Sequence, residues 1–405
     1  MPGGHGGLLI VSKDFVGAFT SIGHSTAPYQ EPALSVETVH LIAAARPNFM
    51  KVAPLWHALA QASDFAPVLV HTGQHYDANM SDAILKDLGL PEPDFHLRIG
   101  SGSHGEQTGR AMIEYEKVAA AHRPDWLVVV GDVNSTVAAA MVGVKAGIPT
   151  IHLEAGLRSR DRRMPEEINR LATDAICDVL WTPSPDADRN LLDEGIPPAR
   201  ITHVGNIMLD SFERTRPAVA AAGVPGALGL GGAAYAVATL HRPSNVDDPD
   251  ELRRLAACLA QVQHRLPIVF PVHPRTAARL AEAGLDRMLE AAGVRLIEPL
   301  PYVRFMSLIV GAAAVITDSG GLQEETTYLG IPCFTLRENT ERPITIEEGT
   351  NRLATAATLP ALLEAALAAG GRATPKRPLY WDGRTAGRCL ADLRRRSRRG
   401  VRAAA

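Results

Sequence analysis

The feature that most constrains the fold is a short apolar run that ends in polar residues and is followed by a helix. The run Trp126–Val130 is apolar at every position, as expected of a parallel strand covered on both faces. The polar turn GDVNST (131–136) and an alanine-rich helical segment come next. Because this succession recurs in both halves of the chain, the sequence predicts doubly wound α/β structure.

Length and composition limit the class of protein. A chain of 405 residues is too long for one hydrophobic core, so we expect two domains. Its 46% hydrophobic and 21% charged residues and formal net charge of −3 argue against a protein that coats nucleic acid. No apolar run is long enough to span a bilayer, and residues 1–36 lack the pattern of a signal peptide. We predict a cytoplasmic protein with no nucleic-acid or membrane partner.

The sequence predicts neither a metal nor an organic cofactor. The segment GLGGAA (229–234) precedes an apolar run instead of following one, so it fails the context required of a dinucleotide-binding fingerprint. Two histidines and an aspartate within residues 71–77 lack the spacing of a metal signature. Neither a zinc site nor a disulfide framework is indicated by the four widely spaced cysteines, which are Cys177, Cys258, Cys333 and Cys389.

A dense cluster of opposite charges occupies residues 151–170, IHLEAGLRSRDRRMPEEINR. Glu154 follows an apolar run, so we expect it at the C-terminal end of a strand. Pro165 and Glu166 suit the first turn of a helix, where a missing N–H is harmless and a negative charge is favourable. Strand ends and helix N-termini are where α/β proteins build their sites. The alternative is helix capping with surface ion pairs, which contribute little.

Two further groups of the first half have both a structural and a functional interpretation. Asp132 follows the run Trp126–Val130, either as a helix N-cap or as a site acid that faces Glu154 from the neighbouring strand. In ARPNFMK, small residues lead into a predicted helix. The same segment contains two cations, Arg46 and Lys51. Such a turn binds anions well, although a plain turn with a surface arginine fits equally.

The second half places cations and glycines after its apolar runs. His241 and Arg242 follow one run, and His273 follows another. In TDSGGLQEE, the segment 319–321 (Ser-Gly-Gly) opens a helix, which favours a phosphate at its N-terminus unless the glycines serve tight packing. Glu325 lies one to two turns further, within reach of a ribose diol. Cations on one wall and acids on the other predict an enzyme acting on nucleotide sugars in a cleft.

Several long motifs carry a specific resemblance. ARPNFMK, GDVNST, HLEAGLRSRDRRMPEEINR, ATLHRP, FPVHPRT, TDSGGLQEE and ERPITIEEGTNR occur in this order over about residues 38–390. Together they resemble the non-hydrolysing UDP-N-acetylglucosamine 2-epimerase family. The resemblance implies two Rossmann-like domains of the glycosyltransferase-B type, an active site in the cleft between them, a homodimer, and interconversion of UDP-GlcNAc and UDP-ManNAc.

The resemblance also assigns residues and domains. The predicted catalytic residues are Asp132, Glu154, Glu166 and His241. The predicted substrate-binding residues are Arg46, Lys51, Arg242, His273, Ser319, Gly320, Gly321, Glu325 and Arg342. Of these, Arg242 and Gly321 come from the pattern of this sequence and the others match positions of the family. We predict a poorly ordered extension over 1–36, a first domain over 37–210 that a helix over 380–398 rejoins, and a UDP-binding domain over 211–379.

Two positions depart from the family pattern. Ala44 replaces the usual glycine before the ARP triplet, which narrows the turn next to the ligand. The stretch 76–79 (Tyr-Asp-Ala-Asn) replaces a glutamine-rich stretch that many bacterial members use to bind activating UDP-GlcNAc, so we expect no such activation.

The expected chemistry is anti elimination of UDP to 2-acetamidoglucal followed by re-addition, for supply of ManNAc units to surface polysaccharide. Three other functions share the motifs: a hydrolysing epimerase that releases UDP and ManNAc, an epimerase of a UDP-diacetamido-uronic acid, and a non-catalytic nucleotide-sugar-binding protein. A glycosyltransferase of similar fold has no need for three acids in its first domain.

Overall fold

Every strand pair in the two sheets of this protein is parallel. The structure is a computed structural model that describes residues 36–44, 46–73, 84–372 and 377–397. The first sheet contains β1 (Glu37–Ala43), β2 (Phe65–His71), β3 (Phe95–His96), β4 (Trp126–Val130), β5 (Thr150–Leu153), β6 (Val179–Thr182) and β7 (Ile201–His203). The second contains β8 (Ala236–Thr239), β9 (Ile268–Pro271), β10 (Arg295–Ile297), β11 (Ala314–Thr317), β12 (Cys333–Thr335) and β13 (Asn351–Leu353).

Helices alternate with these strands. Those around the first sheet are α1 (Arg46–Ala60), α2 (His104–Ala121), α3 (Asn134–Lys145), α4 (Pro165–Ile176), α5 (Pro185–Asp193) and α6 (Ile207–Ala221), with a helical segment over 84–88 and a 3-10 turn at Pro198–Arg200. Those that follow are α7 (Val224–Ala227), α8 (Pro243–Val246), α9 (Pro249–Gln263), α10 (Pro274–Glu282), α11 (Leu285–Ala291), α12 (Tyr302–Gly311), α13 (Gly320–Leu329), α14 (Ile344–Glu347), α15 (Leu359–Ala368) and α16 (Thr385–Arg396).

The order of the strands fixes where a site can form. The first sheet runs β3-β2-β1-β4-β5-β6-β7 and the second runs β10-β9-β8-β11-β12-β13. The direction of winding therefore reverses between β1 and β4, and again between β8 and β11. At such a reversal the loops beyond the carboxyl ends of the strands diverge and leave a crevice for a ligand. The predicted doubly wound fold with two Rossmann-like sheets is confirmed.

The buried strands explain why these residues form sheets. All five residues of β4 are buried and apolar, because helices cover both faces of the parallel sheet. One hydrophobic cluster extends from the first sheet across α6 to α12 and α13 of the second half, through residues such as Phe212, Met306 and Tyr328. The second sheet has a further cluster of its own on its other face. No helix in the described part of the chain is both long and apolar enough to cross a membrane.

The last helix, α16, returns to the first sheet. It packs against α1 and α6, and Asp392 on it accepts a hydrogen bond from the indole N–H of Trp181 at 2.8 Å. At the start of α16, the backbone N–H groups of Thr385 (3.1 Å) and Ala386 (2.8 Å) donate hydrogen bonds to the carboxylate of Asp210. Asp210 therefore caps α16 from a different helix. The predicted domain division stays a prediction, and its boundary at 210 and 211 falls inside α6.

We expect Asp210→Ala to lower the free energy of unfolding by about 1–2 kcal/mol, because two N–H groups of α16 lose their acceptor. Urea unfolding followed by circular dichroism measures the change. The control is Asp250→Ala in the first turn of α9, where the acid is exposed, and its cost should stay within about 0.5 kcal/mol. Equal losses in both variants would contradict the capping role.

Candidate active site

Two acidic turns leave the same edge of the first sheet. Asp132 lies two residues after β4 and Glu154 directly follows β5, and these strands are neighbours. Glu154 has φ of +73°, a conformation that residues other than glycine adopt rarely. Its N–H and that of Ala155 both donate to the carbonyl of Trp181 at 3.0 Å. Strand β6 thus holds a strained turn that aims Glu154 away from the sheet edge.

The carboxylate of Glu154 lies between two cations. One oxygen is 2.5 Å from the ammonium nitrogen of Lys51 on α1, and the other accepts from Arg342 at 2.9 Å. All three side chains are buried. Arg342 precedes α14 in the second half of the chain, so this contact joins the two sheets' loops directly. The predicted acid and two predicted substrate-binding cations therefore meet in one place.

Arg342 is surrounded by carboxylates. Besides Glu154, its guanidinium contacts Glu324 at 2.8 Å and Glu341 at 2.5 Å. The other oxygen of Glu341 forms an ion pair with Arg337 at 2.9 Å. A buried charge is stable only when it is paired in this way. Arg342 is therefore held rigidly where the loops of the two sheets meet.

The charges in this cluster shift one another. Burial raises the pKa of Glu324, and the nearby Arg342 only partly offsets this effect. Burial also opposes ionisation of Glu341, but Arg342 and Arg337 outweigh it and hold the pKa of Glu341 below its ordinary value. For Arg342, burial is outweighed by the carboxylates of Glu324 and Glu341, and the pKa rises well above its usual value. The cluster thus shifts the pKa values of two chemically similar acids in opposite directions around one permanent cation.

Asp132 is fixed by helix α4. Its carboxylate accepts from Arg170 at 2.9 and 3.0 Å, and its backbone carbonyl accepts from the Asn169 amide at 2.9 Å. The residue that caps α3 is Val133, with no side-chain capping bond, so Asp132 is not the N-cap. Since the capping alternative does not apply, the position of Asp132 is consistent with a site acid.

Glu166 lies in the first turn of α4, which begins at Pro165 as predicted. It is half-buried, and within the described residues its carboxylate has neither a hydrogen bond nor an ion pair. The next acid, Glu167, has a structural role, because it accepts the N–H and hydroxyl of Ser159 and the N–H of Arg160, each at 2.9 Å. Glu166 thus remains accessible while Glu167 holds the preceding loop.

His241 is oriented by a carboxylate that the sequence analysis did not identify. Its Nδ1 lies 2.7 Å from Asp318, which also accepts the N–H groups of His241 and Arg242 and the amide of Asn245. Burial opposes ionisation of Asp318, but these donors, above all the His241 ring, keep its pKa below the ordinary value. The His241 side chain is 42% exposed, which leaves Nε2 for a ligand.

The segment 319–321 begins α13 with Ser319 as its N-cap. The Ser319 side chain makes no capping bond, and a Cβ on Gly320 would come within 2.7 Å of Arg342 and Glu341. A side chain at position 320 would therefore displace the paired Arg342 and Glu341, so close packing favours glycine there. A Cβ on Gly321 would meet nothing within 4 Å, so the space beside this Cα is open. Close packing therefore explains Gly320, and the predicted phosphate contact at this helix N-terminus stays a prediction.

Two other predicted ligand contacts lie near this loop. The His273 ring is exposed and its centroid is 6.3 Å from that of His241, so both histidines border the same crevice. Glu325 is buried on α13 and accepts a hydrogen bond from the Tyr302 hydroxyl at 2.8 Å. Its carboxylate therefore already has a fixed orientation.

Some predictions concern residues outside the described part of the chain. They include the side chain of Arg46 and the stretch 76–79, while Ala44 is described and is buried between β1 and α1. Among described residues no three His, Cys, Asp or Glu side chains are grouped to hold a metal. The additional residues found here, Asp318, Glu324 and Glu341, each lie in a motif already quoted, next to a residue the motif identified.

We expect Glu341→Gln to lower the free energy of unfolding at pH 7 by about 3 kcal/mol, because it leaves buried arginines uncompensated. The folded-state pKa of Glu341 is depressed, so its contribution is present above the unfolded value of about 4.3 and is lost as pH falls below it. Urea unfolding at pH 7 and near pH 3.5 should show the gap to wild type narrowing in acid. A difference in unfolding free energy between wild type and Glu341→Gln that does not change with pH would contradict a contribution from the Glu341 charge. Glu282→Gln, in an exposed pair, is the control.

Comparison with known proteins gives a consistent result. The chain matches the family model described as UDP-N-acetylglucosamine 2-epimerase over residues 57–394. It is 42% identical to the UDP-N-acetylglucosamine 2-epimerase of Methanococcus maripaludis over 322 residues, 78% of this chain and 87% of that protein. It is 40% identical to the UDP-2,3-diacetamido-2,3-dideoxy-D-glucuronate 2-epimerase of Pseudomonas aeruginosa over 323 residues, 78% of this chain and 88% of that one.

A solved structure extends the likeness to the fold. The UDP-GlcNAc 2-epimerase of Methanocaldococcus jannaschii, in complex with UDP-GlcNAc and UDP, has a TM-score of 0.81 and 38% identity, covering 88% of this chain and 99% of its own. The Neisseria meningitidis enzyme bound to UDP-GlcNAc has a TM-score of 0.79 at 25% identity, with 88% of this chain and 99% of its own covered. Motifs, fold and site agree, and the chain belongs to the UDP-N-acetylglucosamine 2-epimerase family.

Proposed function

We propose that this protein catalyses the reversible C2 epimerisation of UDP-GlcNAc to UDP-ManNAc without releasing the sugar. The observation that carries the proposal is the contact of Glu154 with both Lys51 and Arg342. It brings an acid of the first half into one buried cluster with a cation of the second half. The reaction needs this combination, an acid or base beside the sugar ring and cations beside the departing diphosphate.

The chemistry follows from the bonds that must change. The C2 proton of the sugar is not adjacent to a carbonyl group, so its direct removal would leave an unstabilised carbanion. In anti elimination, a base takes the C2 proton, the electron pair forms the C1–C2 double bond, and the C1–O bond breaks. UDP leaves with the bonding electrons and 2-acetamidoglucal remains. Protonation of C2 on the opposite face and re-addition of UDP at C1 complete the epimerisation.

The residues divide into two groups in this scheme. The base and the acid for the two faces are among Asp132, Glu154 and Glu166. The diphosphate is held by His241, Arg242 and the segment 319–321, where the open space beside the Gly321 Cα leaves room for phosphate at the helix N-terminus. His241 is suited to this contact because Asp318 fixes its ring and leaves Nε2 outward.

We infer that substrate binding changes the contacts of Glu154. Both of its oxygens contact cations, Lys51 and Arg342. A diphosphate competes for the same cations, since they also bind phosphate strongly. We propose that this competition releases a Glu154 oxygen for proton transfer only when substrate is present. The elimination would then be coupled to occupancy of the diphosphate site.

A second substrate is favoured by one specific observation. The P. aeruginosa relative, named for a UDP-diacetamido-glucuronate, is 40% identical, close to the 42% of the M. maripaludis relative. The same elimination applies to either sugar, because both reactions invert C2. In either case we propose a homodimer in the cytoplasm that supplies sugars for surface polysaccharide.

We expect UDP-GlcNAc in D2O to give an equilibrium of UDP-GlcNAc and UDP-ManNAc, both deuterated at C2. Proton NMR of the sugar signals follows the reaction. Free UDP with ManNAc would instead identify a hydrolysing enzyme. If UDP-GlcNAc is returned unchanged while the diacetamido-uronic substrate exchanges its C2 proton, the second substrate is correct. No exchange in either sugar would contradict the proposed function and favour a binding protein.

We expect Asp132→Asn, Glu154→Gln and Glu166→Gln each to lower kcat on the order of a hundredfold or more, the usual scale for proton transfer. Initial rates of C2 exchange measure the effect. The control is Asp193→Asn, an exposed acid at the end of α5, which should keep the wild-type rate. Near-normal turnover in one amide variant would remove that residue from the proton-transfer steps.

A further inference from the structure

We propose that the buried pair His152–Asp174 is a positioning device that fixes Asp132 and Glu154 relative to each other. The inference rests on the proposed function, because it concerns the separation of two acids that would serve opposite faces of one sugar. Both members of the pair are fully buried beneath the site. They contact backbone groups of the two acidic turns, the carbonyl of Gly131 and the N–H of Gly156.

Each nitrogen of the His152 ring has a hydrogen-bond acceptor. Nδ1 lies 2.6 Å from Asp174 Oδ1, and Nε2 lies 2.8 Å from the carbonyl oxygen of Gly131. A carbonyl oxygen can only accept, so Nε2 carries a proton. Burial opposes ionisation of Asp174, but His152 and Arg158 outweigh it and keep its pKa below the ordinary value. The ring therefore links α4 to the turn after β4 through two hydrogen bonds.

The Gly131 contact fixes the turn that carries Asp132. The carbonyl of Gly131 accepts from His152, and its N–H donates to Leu153 at 3.1 Å, so β5 holds this peptide on both sides. Gly131 has φ of +69°, and a Cβ there would come within 3.3 Å of Lys51. The next residue, Asp132, has little freedom left.

The Asp174 contacts fix the turn that carries Glu154. Its second oxygen accepts the N–H of Gly156 at 3.0 Å and pairs with Arg158 at 2.7 Å. Gly156 has φ of +82°, and a Cβ there would lie 2.5 Å from a backbone oxygen of α5, so this loop is closely packed. Asp174 thus holds the chain two residues beyond Glu154.

One buried pair therefore connects both acidic turns to a single helix. Asp174 belongs to α4, which also contributes Arg170 to Asp132 and carries Glu166 in its first turn. A change in the pair would move the acids relative to one another without touching the diphosphate loop of the second half. A displacement of about 1 Å at reacting groups can cost about a hundredfold in rate. The inferred role thus concerns kcat and not binding of UDP.

The test uses variants that keep or remove single contacts. His152→Gln retains an N–H donor near the Nε2 position, His152→Asn retains one near Nδ1, and His152→Leu removes both. We expect kcat to fall about tenfold in the single-contact variants and about a hundredfold in His152→Leu. UDP affinity, measured by calorimetry, should stay within about twofold of wild type. The control, His40→Leu, removes another buried histidine of the first sheet, and its kcat should not change.

The outcomes separate the two proposals. A wild-type kcat in correctly folded His152→Leu, or an equal loss of UDP affinity in all variants, would overturn the positioning role. If the wild-type protein epimerises neither sugar, the proposed function fails, and a crystal structure of His152→Gln still decides the inference. In that structure the carboxylates of Asp132 and Glu154 should be displaced by about 0.5 Å or more, the tolerance of a functional site. Unchanged carboxylate positions would refute it.

Discussion

The pairing of one buried guanidinium with three carboxylates is the interaction on which the site depends. Arg342 contacts Glu154, Glu324 and Glu341, and removal of any partner would leave an uncompensated charge in a dry environment. Glu154 belongs to the first sheet's edge, whereas Glu324 lies on α13 beside the second sheet. The geometry of the acid and the meeting of the two halves are therefore set by the same contact. The balance of charge also explains why Glu324 and Glu341, which are chemically alike, have pKa values shifted in opposite directions.

Much of the fold could be predicted because its signals are local. An apolar run bounded by polar turns identifies β4 at its observed limits, and Pro165 identifies the first residue of α4. The strand-end positions of Glu154 and His241 follow from the same logic. The very short strands β3, β12 and β13, of two or three residues, cannot be predicted, because so few residues show no periodicity.

The contacts of the site could not be predicted from residue patterns in the same way. Glu154 and Arg342 are 188 positions apart, and nothing local indicates that they touch. The resemblance to a family identified which residues matter but not how they are held. Asp318 illustrates this difference, since a carboxylate before Ser-Gly-Gly looks like a turn residue until the fold places it under His241. Contacts such as the one between Asp318 and His241 depend on which strands are neighbours, and this is a property of the whole sheet.

The Glu154–Arg342 contact has a consequence for motion. If the two halves separate, this pair breaks and both charges are hydrated. For buried ion pairs, the attraction between the charges and the free energy of hydrating them are of similar size. The contribution of the Glu154–Arg342 pair to the free energy is then similar whether the two halves are in contact or apart. For this pair, a ligand that prefers one arrangement by a modest factor is therefore enough to shift the population between the two.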